Sequence, residues 1–262
     1  MTSNETATKP DSPWWLAFYE NPLFITYLDC SHAEDLPDIL AFINRHADIA
    51  PGIRVFDQCC GVGSVSLPLA EQGAQVEGVD LSKVFIKEAT KRRDLAGLQN
   101  QANYAAGDAT AYTTNDKCDL AINMYTSFGY GDDEFNLSML KRVRESLKAG
   151  GKLILDYPNM YSIIGTFRKQ IFKTLDTTNG TITVTRSSRI DHKNGKLLQR
   201  WEFIEPDGKR SANDTSLTIY LPHQICSLLV QAGFDNDIQL FGGFDSSPLT
   251  RDSVRCIALA KA

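Results

Sequence analysis

The stretch Val55-Phe-Asp57-Gln-Cys-Cys60-Gly61-Val-Gly63 ends a short apolar run on a carboxylate and follows it with a glycine turn. Glycines there let a bulky ligand approach bare backbone, and open α/β folds hold ligands at the carboxyl edge of the sheet. Asp80 ends the next apolar run, roughly 20 residues beyond the glycines, where an acid can accept both hydroxyls of a ribose. Gly107-Asp108-Ala109 follows a third run, and Asn123-Met-Tyr125-Thr-Ser127-Phe-Gly-Tyr130 follows a fourth. The turn reads Gly61-Val-Gly63-Ser-Val-Ser66, so a dinucleotide fingerprint lacks its third glycine. Asp57 would also face a pyrophosphate unfavourably, whereas it suits a ligand's ammonium group.

These residues need a scaffold. Strands are expected over Ile53–Asp57, Gln75–Asp80, Ala102–Ala106, Leu120–Met124 and Lys152–Asp156. Helices are expected between them: one through Leu67–Gln72, one capped by Ser82 and stopped at Gly97, and one from Asp133 to Lys148 before Gly150-Gly151. That alternation implies a mostly parallel sheet with helices on both faces. Three β-rich runs follow near Thr181–Ile190, Lys196–Glu205 and Ser211–Tyr220. Asn194-Gly195 and Asp207-Gly208 join them as two-residue hairpin turns, which makes an antiparallel meander inserted after strand five. A helix over Pro222–Ala232 and strands near Asp237–Phe241 and Val254–Ala260 complete a seven-stranded sheet.

Residues 1–12 read as a disordered tail, and 13–262 as a single domain whose β insertion occupies 161–221. Ser31-His-Ala-Glu34 has the form of a capping box opening a helix to about His46, which leaves His32 and His46 as surface residues. Trp14, Trp15, Phe18 and Tyr19 are too dense an aromatic group for loop filler. They pack into the core or cover an acceptor site as a lid.

A length of 262 residues at 42% hydrophobic suits one large α/β domain, and a formal net charge of -5 disfavours a nucleic-acid partner. The basic clusters Lys91-Arg92-Arg93 and Lys141-Arg142 with Arg144 fall on expected helices, where they read as solvated faces. The six cysteines form no C-x-x-C pair and no zinc-ligand spacing with histidine, so no metal is expected. No signal-peptide pattern and no membrane-length apolar run stand out, which points to a cytoplasmic protein.

From about residue 30 to 262 the chain resembles the class I S-adenosylmethionine (SAM)-dependent methyltransferases. Asp57–Gly63 matches their E/D-x-G-x-G-x-G motif, with Cys59 in place of the first glycine. Asp80 matches the ribose-binding acid, Gly107-Asp108-Ala109 the adenine-contacting segment, and Leu147-Lys-Ala-Gly150-Gly151-Lys the turn before strand five. The resemblance implies a Rossmann-like fold and SAM as cofactor, with S-adenosylhomocysteine (SAH) as its product. Asp57, Cys59, Gly61, Gly63, Asp80, Leu81, Asp108, Ala109 and Asn123 then become candidate cofactor contacts.

The segment from Asn123 to Tyr130 resembles the small-molecule branch, that of the glycine N-methyltransferases and the sugar N,N-dimethyltransferases. By that analogy Tyr130 lies near an acceptor amine, and the meander walls the acceptor pocket or makes a homodimer contact. Tyr130 and Tyr125 are the candidate catalytic residues, and Tyr19, Tyr157 and Ser127 the candidate acceptor contacts. The acceptor is expected to be a small molecule methylated on nitrogen or oxygen. A non-catalytic SAM-fold binding protein, a protein or tRNA methyltransferase and an NAD-type oxidoreductase are the competing readings.

Overall fold

The structure is a computed structural model that describes residues 13–262, so the tail expected over 1–12 lies outside the described residues. Three helices lead: α1 (Trp14–Phe18), α2 (Leu23–His32) and α3 (Leu36–Ala47). The Ser31–Glu34 capping box does not form, because α2 starts earlier and runs through Ser31. Asn21 Oδ1 accepts the Leu23 N–H at 3.0 Å and opens that helix. Phe24, Tyr27 and Leu28, at helical spacing, hold its apolar face against the body of the protein. Helix α3 begins behind Asp35, whose carboxylate goes to Arg255 at 3.1 Å and not to the helix backbone.

The expected alternation follows as β1 (Arg54–Gln58), α4 (Ser66–Glu71), β2 (Gln75–Asp80), α5 (Lys83–Leu95), β3 (Ala102–Ala106), β4 (Cys118–Asn123), α6 (Asp133–Ser146) and β5 (Leu147–Pro158). Ser82 caps α5 by accepting the Phe85 N–H at 3.2 Å, and Asp132 caps α6 through the Phe135 N–H at 2.9 Å. After β5 come α7 (Met160–Gly165), β6 (Gln170–Thr177), β7 (Gly180–Asp191), β8 (Lys196–Ile204) and β9 (Arg210–Thr218). Helix α8 (Pro222–Gln231), β10 (Gln239–Phe241) and β11 (Arg255–Lys261) close the chain.

The main sheet has seven strands in the order β10-β11-β5-β4-β1-β2-β3. Strands β1 to β5 pair in parallel, and β11 runs antiparallel to both β5 and β10. One face is covered by α6 and α8 through Leu140, Val143, Leu228 and Leu229. The other is covered by α3 and α4 through Ile39, Phe42, Ile43 and Leu69. Chain order reverses at β1, which is flanked by β2 and β4, and the crevice at that point is where the glycine turn lies.

The second sheet, β6-β7-β8-β9, is antiparallel and has four strands where the sequence suggests three. Strand β6 is an edge strand that buries only Leu175, so it lacks the apolar alternation that marks a half-buried strand. The hairpin loops are also longer than two residues: the last pairs are Asp191 with Lys196 and Ile204 with Arg210. Helices α1 and α2 lie on this sheet through Phe18 and Phe24 against Trp201, Ile182, Val184 and Phe203. Each such side chain contributes about 1.5–3 kcal/mol when fully buried. A five-residue helix such as α1 does not persist in water by itself, so it exists because it is docked. Among the described residues no helix is long and apolar enough to cross a membrane.

Candidate active site

The carboxyl ends of β1, β2, β3 and β4 enclose a cavity of about 330 Å³. Asp57, Cys59, Gly61, Asp80, Leu81, Asp108 and Ala109 all line it, as the sequence suggests. Gly61 has φ of 56°, in the left-handed region, and Cys59 has φ of 62°. Cys59 therefore takes the conformation a glycine would take and preserves the loop, at a cost of about 1–2 kcal/mol for its Cβ. Burial raises both the Cys59 and Cys60 thiols well above their ordinary range, which favours the protonated form.

Asp80 organises the turn. One of its carboxylate oxygens accepts the Gly61 N–H at 3.0 Å and the other the Ser82 N–H at 2.8 Å. Burial pushes Asp80 up to about 6, opposed by those two N–H donors. Asp57, 4% exposed at the end of β1, is pushed up to about 7 by burial, with the nearby Asp80 charge adding to it. Asp108 holds its own turn by accepting from the Thr110 N–H and hydroxyl, both at 2.8 Å, while still fronting the cavity.

A second cavity of about 760 Å³ lies between α1–α2, α7 and the inner face of the small sheet. Tyr19, Leu28, His32, Tyr125 and Tyr130 line both cavities and form the throat between them. The Tyr19 and Tyr130 hydroxyls meet in a hydrogen bond, and Trp14 packs on the Tyr130 ring at 4.7 Å. Ser127 fronts the first cavity and donates to the Met124 carbonyl at 3.2 Å. Within the aromatic segment Phe18 is core, as one of the two expectations had it, while Trp15 and Leu16 line the first cavity.

His32 is the correction with the largest consequence for the site. It is not a surface residue, because α2 continues through it and lays its ring on Tyr125 with centroids 3.3 Å apart and planes 4° apart. Burial, helped by the Arg255 cation, pulls its imidazole down to about 4, and its buried Nδ1 has no hydrogen-bond partner. His46 also packs inward, on Phe42 and Phe241. Tyr125 and Thr126 both have positive φ, 57° and 66°. Asp156 holds that strained turn by accepting the Tyr125 N–H at 3.0 Å while pairing with Arg255 at 2.8 Å.

Three candidates fall outside both cavities. Tyr157 is fully buried, and its hydroxyl donates to the Thr218 carbonyl, so it fastens the β9 end near the throat instead of meeting an acceptor. Asn123 donates from Nδ2 to Gln58 Oε1 at 3.1 Å, while Gln58 donates to the carbonyls of Ala109 and Met139. That buried network stitches β1, β4 and α6 beneath the cavity, and Gln58 is a positioning residue the sequence did not single out. Gly63 is required for packing: a Cβ there would lie 2.8 Å from the Tyr104 hydroxyl, and its φ is 78°.

Residues 55–151, from β1 through the start of β5, match the family of methyltransferase domains. Those residues carry a methyltransferase domain, and the fold around them is that of SAM-dependent methyltransferases. The chain is 27% identical to the glycine N-methyltransferase of Homo sapiens over 210 residues, 71% of this chain and 70% of that protein. It spans about half (47%) of the length of the Escherichia coli protein YjhP, at 28% identity over 122 residues. A SAM-dependent methyltransferase of Clostridium acetobutylicum superposes with a TM-score of 0.77, at 20% identity, over 91% of this chain and 97% of that one. The sugar N-methyltransferase KedS8 of Streptoalloteichus superposes with a TM-score of 0.73, at 15% identity, over 100% of this chain and 98% of that one.

The residues of this site fit SAM. Asp57 is a buried carboxylate without a cationic partner among the described residues, in a cavity that also presents a second acid and a left-handed glycine backbone. That donor set suits an ammonium group and a ribose diol on one ligand. A linkage prediction follows from Asp57. Its native value lies above the unfolded one, so its ionisation costs the free protein stability as pH rises from about 4 through 7, while only the ionised form attracts an ammonium. SAM affinity should therefore rise up to about tenfold per pH unit below pH 7 and level off above it. Asp57→Asn should lose that step, bind more weakly at pH 8, and be roughly 1–3 kcal/mol more stable without ligand. Titration calorimetry and thermal melts at pH 6 and 8 measure both effects.

Proposed function

We propose that the protein transfers the SAM methyl group to a nitrogen of a small-molecule acceptor seated in the larger cavity. The observation that carries this is the throat: one ring of side chains, with Tyr19, His32, Tyr125 and Tyr130 in it, borders both cavities. Bound in the smaller cavity, SAM supplies an electrophilic methyl carried on a sulfonium. The chain then has to align an acceptor lone pair in the throat and keep water out.

The polar groups of the throat are neutral. Burial holds the Tyr19 and Tyr130 phenols above their ordinary range, and His32 stays uncharged at neutral pH. None is a strong base near pH 7, which favours an uncharged amine, able to react without prior deprotonation, over an alcohol. Tyr130 and Tyr125 are read as residues that orient the acceptor and face the cationic methyl with aromatic rings, not as bases. Asp57, Gly61, Asp80, Leu81 and Asp108 are read as the SAM contacts.

A nucleic-acid acceptor is disfavoured because the basic clusters are engaged elsewhere. Arg92 pairs with Asp29 and Glu88, Arg93 with Asp94 and Arg142 with Glu145. The test is calorimetric titration with SAM, SAH and NAD, followed by incubation of the SAM-loaded protein with primary and secondary amines and the matching alcohols, monitoring SAH release. Micromolar binding of SAM and SAH without NAD, and turnover confined to amines, is expected. NAD binding without SAM binding would reject the reaction, and turnover on alcohols alone would reject the nitrogen assignment.

A further inference from the structure

The larger cavity has a charge pattern that methyl transfer does not call for. In a chain of net charge -5, its lining carries three arginines and one aspartate, with no lysine and no glutamate. Arg255 is neutralised there by Asp35 and Asp156, and Arg168 lies exposed at the rim. Arg186 differs from both. It stands on the inner face of β7, with its guanidinium 5.1 Å from the Trp201 ring centre on β8. Among the described residues no carboxylate lies within salt-bridge distance of it, and its Nε is buried without a hydrogen-bond partner. Burial pulls its pKa below the ordinary arginine range, the expected response of a desolvated cation that lacks a counter-charge.

The wall around Arg186 changes character across the sheet. On one side Trp201, Phe203 and Val184 are sealed by α1 and α2. On the other, Ser188 and Gln199 turn toward the cavity, joined by a Gln199-to-Ser188 hydrogen bond of 3.3 Å, with Thr215 beside them on β9. Packing over the Trp201 ring holds the guanidinium in place, and its terminal nitrogens make no hydrogen bond among the described residues, a set of donors suited to a planar or tetrahedral oxyanion.

We infer that Arg186 is the anchor of an oxyanion subsite, so that the acceptor carries a carboxylate or phosphate group away from the methylated nitrogen. Resting on the reading of this cavity as the acceptor site, the inference narrows the substrate class to anionic amines. Trp201 fixes the arginine, Ser188 and Gln199 supply neutral donors beside it, and the throat receives the amine end. A neutral amine acceptor would leave a buried cation uncompensated in the complex, which costs binding.

The test uses the SAH-saturated full chain and three ligands that differ only in the charged group: phenylacetate, phenyl phosphate and the neutral phenylacetamide. Binding is followed by ligand-observed NMR and by tryptophan fluorescence, to which Trp201 contributes. At least one anion should bind about tenfold or more tightly than the amide, a difference of about 1.4 kcal/mol. Arg186→Gln should abolish that preference, and Arg186→Lys should retain part of it. A preference for phenyl phosphate over phenylacetate assigns a phosphate, and the reverse a carboxylate. Equal affinity for anions and amide, no anion binding up to about 10 mM, or an unchanged preference in a folded Arg186→Gln protein would each overturn the inference. The wild-type comparison stands even if the variants fail to fold. Loss of SAH binding would instead count against the methyltransferase reading itself, so the two failures are distinguishable.

Discussion

Asp80→Ala is expected to weaken SAM binding by roughly 2–4 kcal/mol while leaving the stability of the ligand-free protein within about 1 kcal/mol of wild type. Affinity falls for two reasons. On the proposed reading the side chain accepts ribose hydroxyls, and both its oxygens already hold backbone N–H groups of Gly61 and Ser82. Without it the glycine turn loses its orientation as well as its ligand contact. Stability moves little because burial makes the Asp80 charge costly, which offsets the two lost hydrogen bonds. Asp80→Asn should fare no better, since its amide NH2 would face one of the two N–H donors. Titration calorimetry and thermal melts on both variants check this, and an unchanged dissociation constant would place the ribose elsewhere.

The second large effect is on folding. Arg255→Met should destabilise the protein by roughly 3–5 kcal/mol, because Asp156 is fully buried and Arg255 is its only cationic partner among the described residues. Its pKa is already raised by burial, with the Arg255 charge opposing. A buried acid of raised pKa is stable in its protonated form, so its penalty grows as pH rises through the native value and shrinks as pH falls. The Arg255→Met protein should accordingly lose more of its melting temperature at pH 8 than at pH 5, and adding Asp156→Asn should restore most of it. An equal loss at both pH values, with no recovery in the double variant, would mean that Arg255 acts by packing on Phe244 and Tyr125 alone.

What the sequence made legible and what it hid divide along a physical line. The turn from Asp57 to Gly63, the acid at Asp80 and the Ser82 cap could be read because each answers a local demand: a left-handed backbone, a strand end or an unpaired helix N–H. Strand β6 was hidden because an edge strand with one buried side chain carries no periodic signal. The throat was hidden in part because its parts meet only in three dimensions: Tyr19 and Tyr130 are 111 residues apart, and Asp156 and Arg255, which brace the Tyr125 turn from outside it, are 99 apart. His32 had the one local signal that misled, since the Ser31-to-Glu34 spacing of a capping box placed it at a helix start on the surface. Nothing in the pattern around Arg186 marks it either, as alternation says which face a strand residue occupies and not what that face encloses.

Helix α1 sets a limit on timing. Trp15 and Leu16 line the smaller cavity while Trp14 and Phe18 line the larger one, and the Ser82 hydroxyl, two residues from Asp80, ties the segment down through the Tyr19 carbonyl at 3.0 Å. Lifting these five residues unseals both chambers at once. With cofactor and acceptor seated in the two cavities as proposed, spent cofactor and methylated product would share one exit event, and the frequency with which α1 undocks would set a ceiling on turnover however fast the methyl itself is passed.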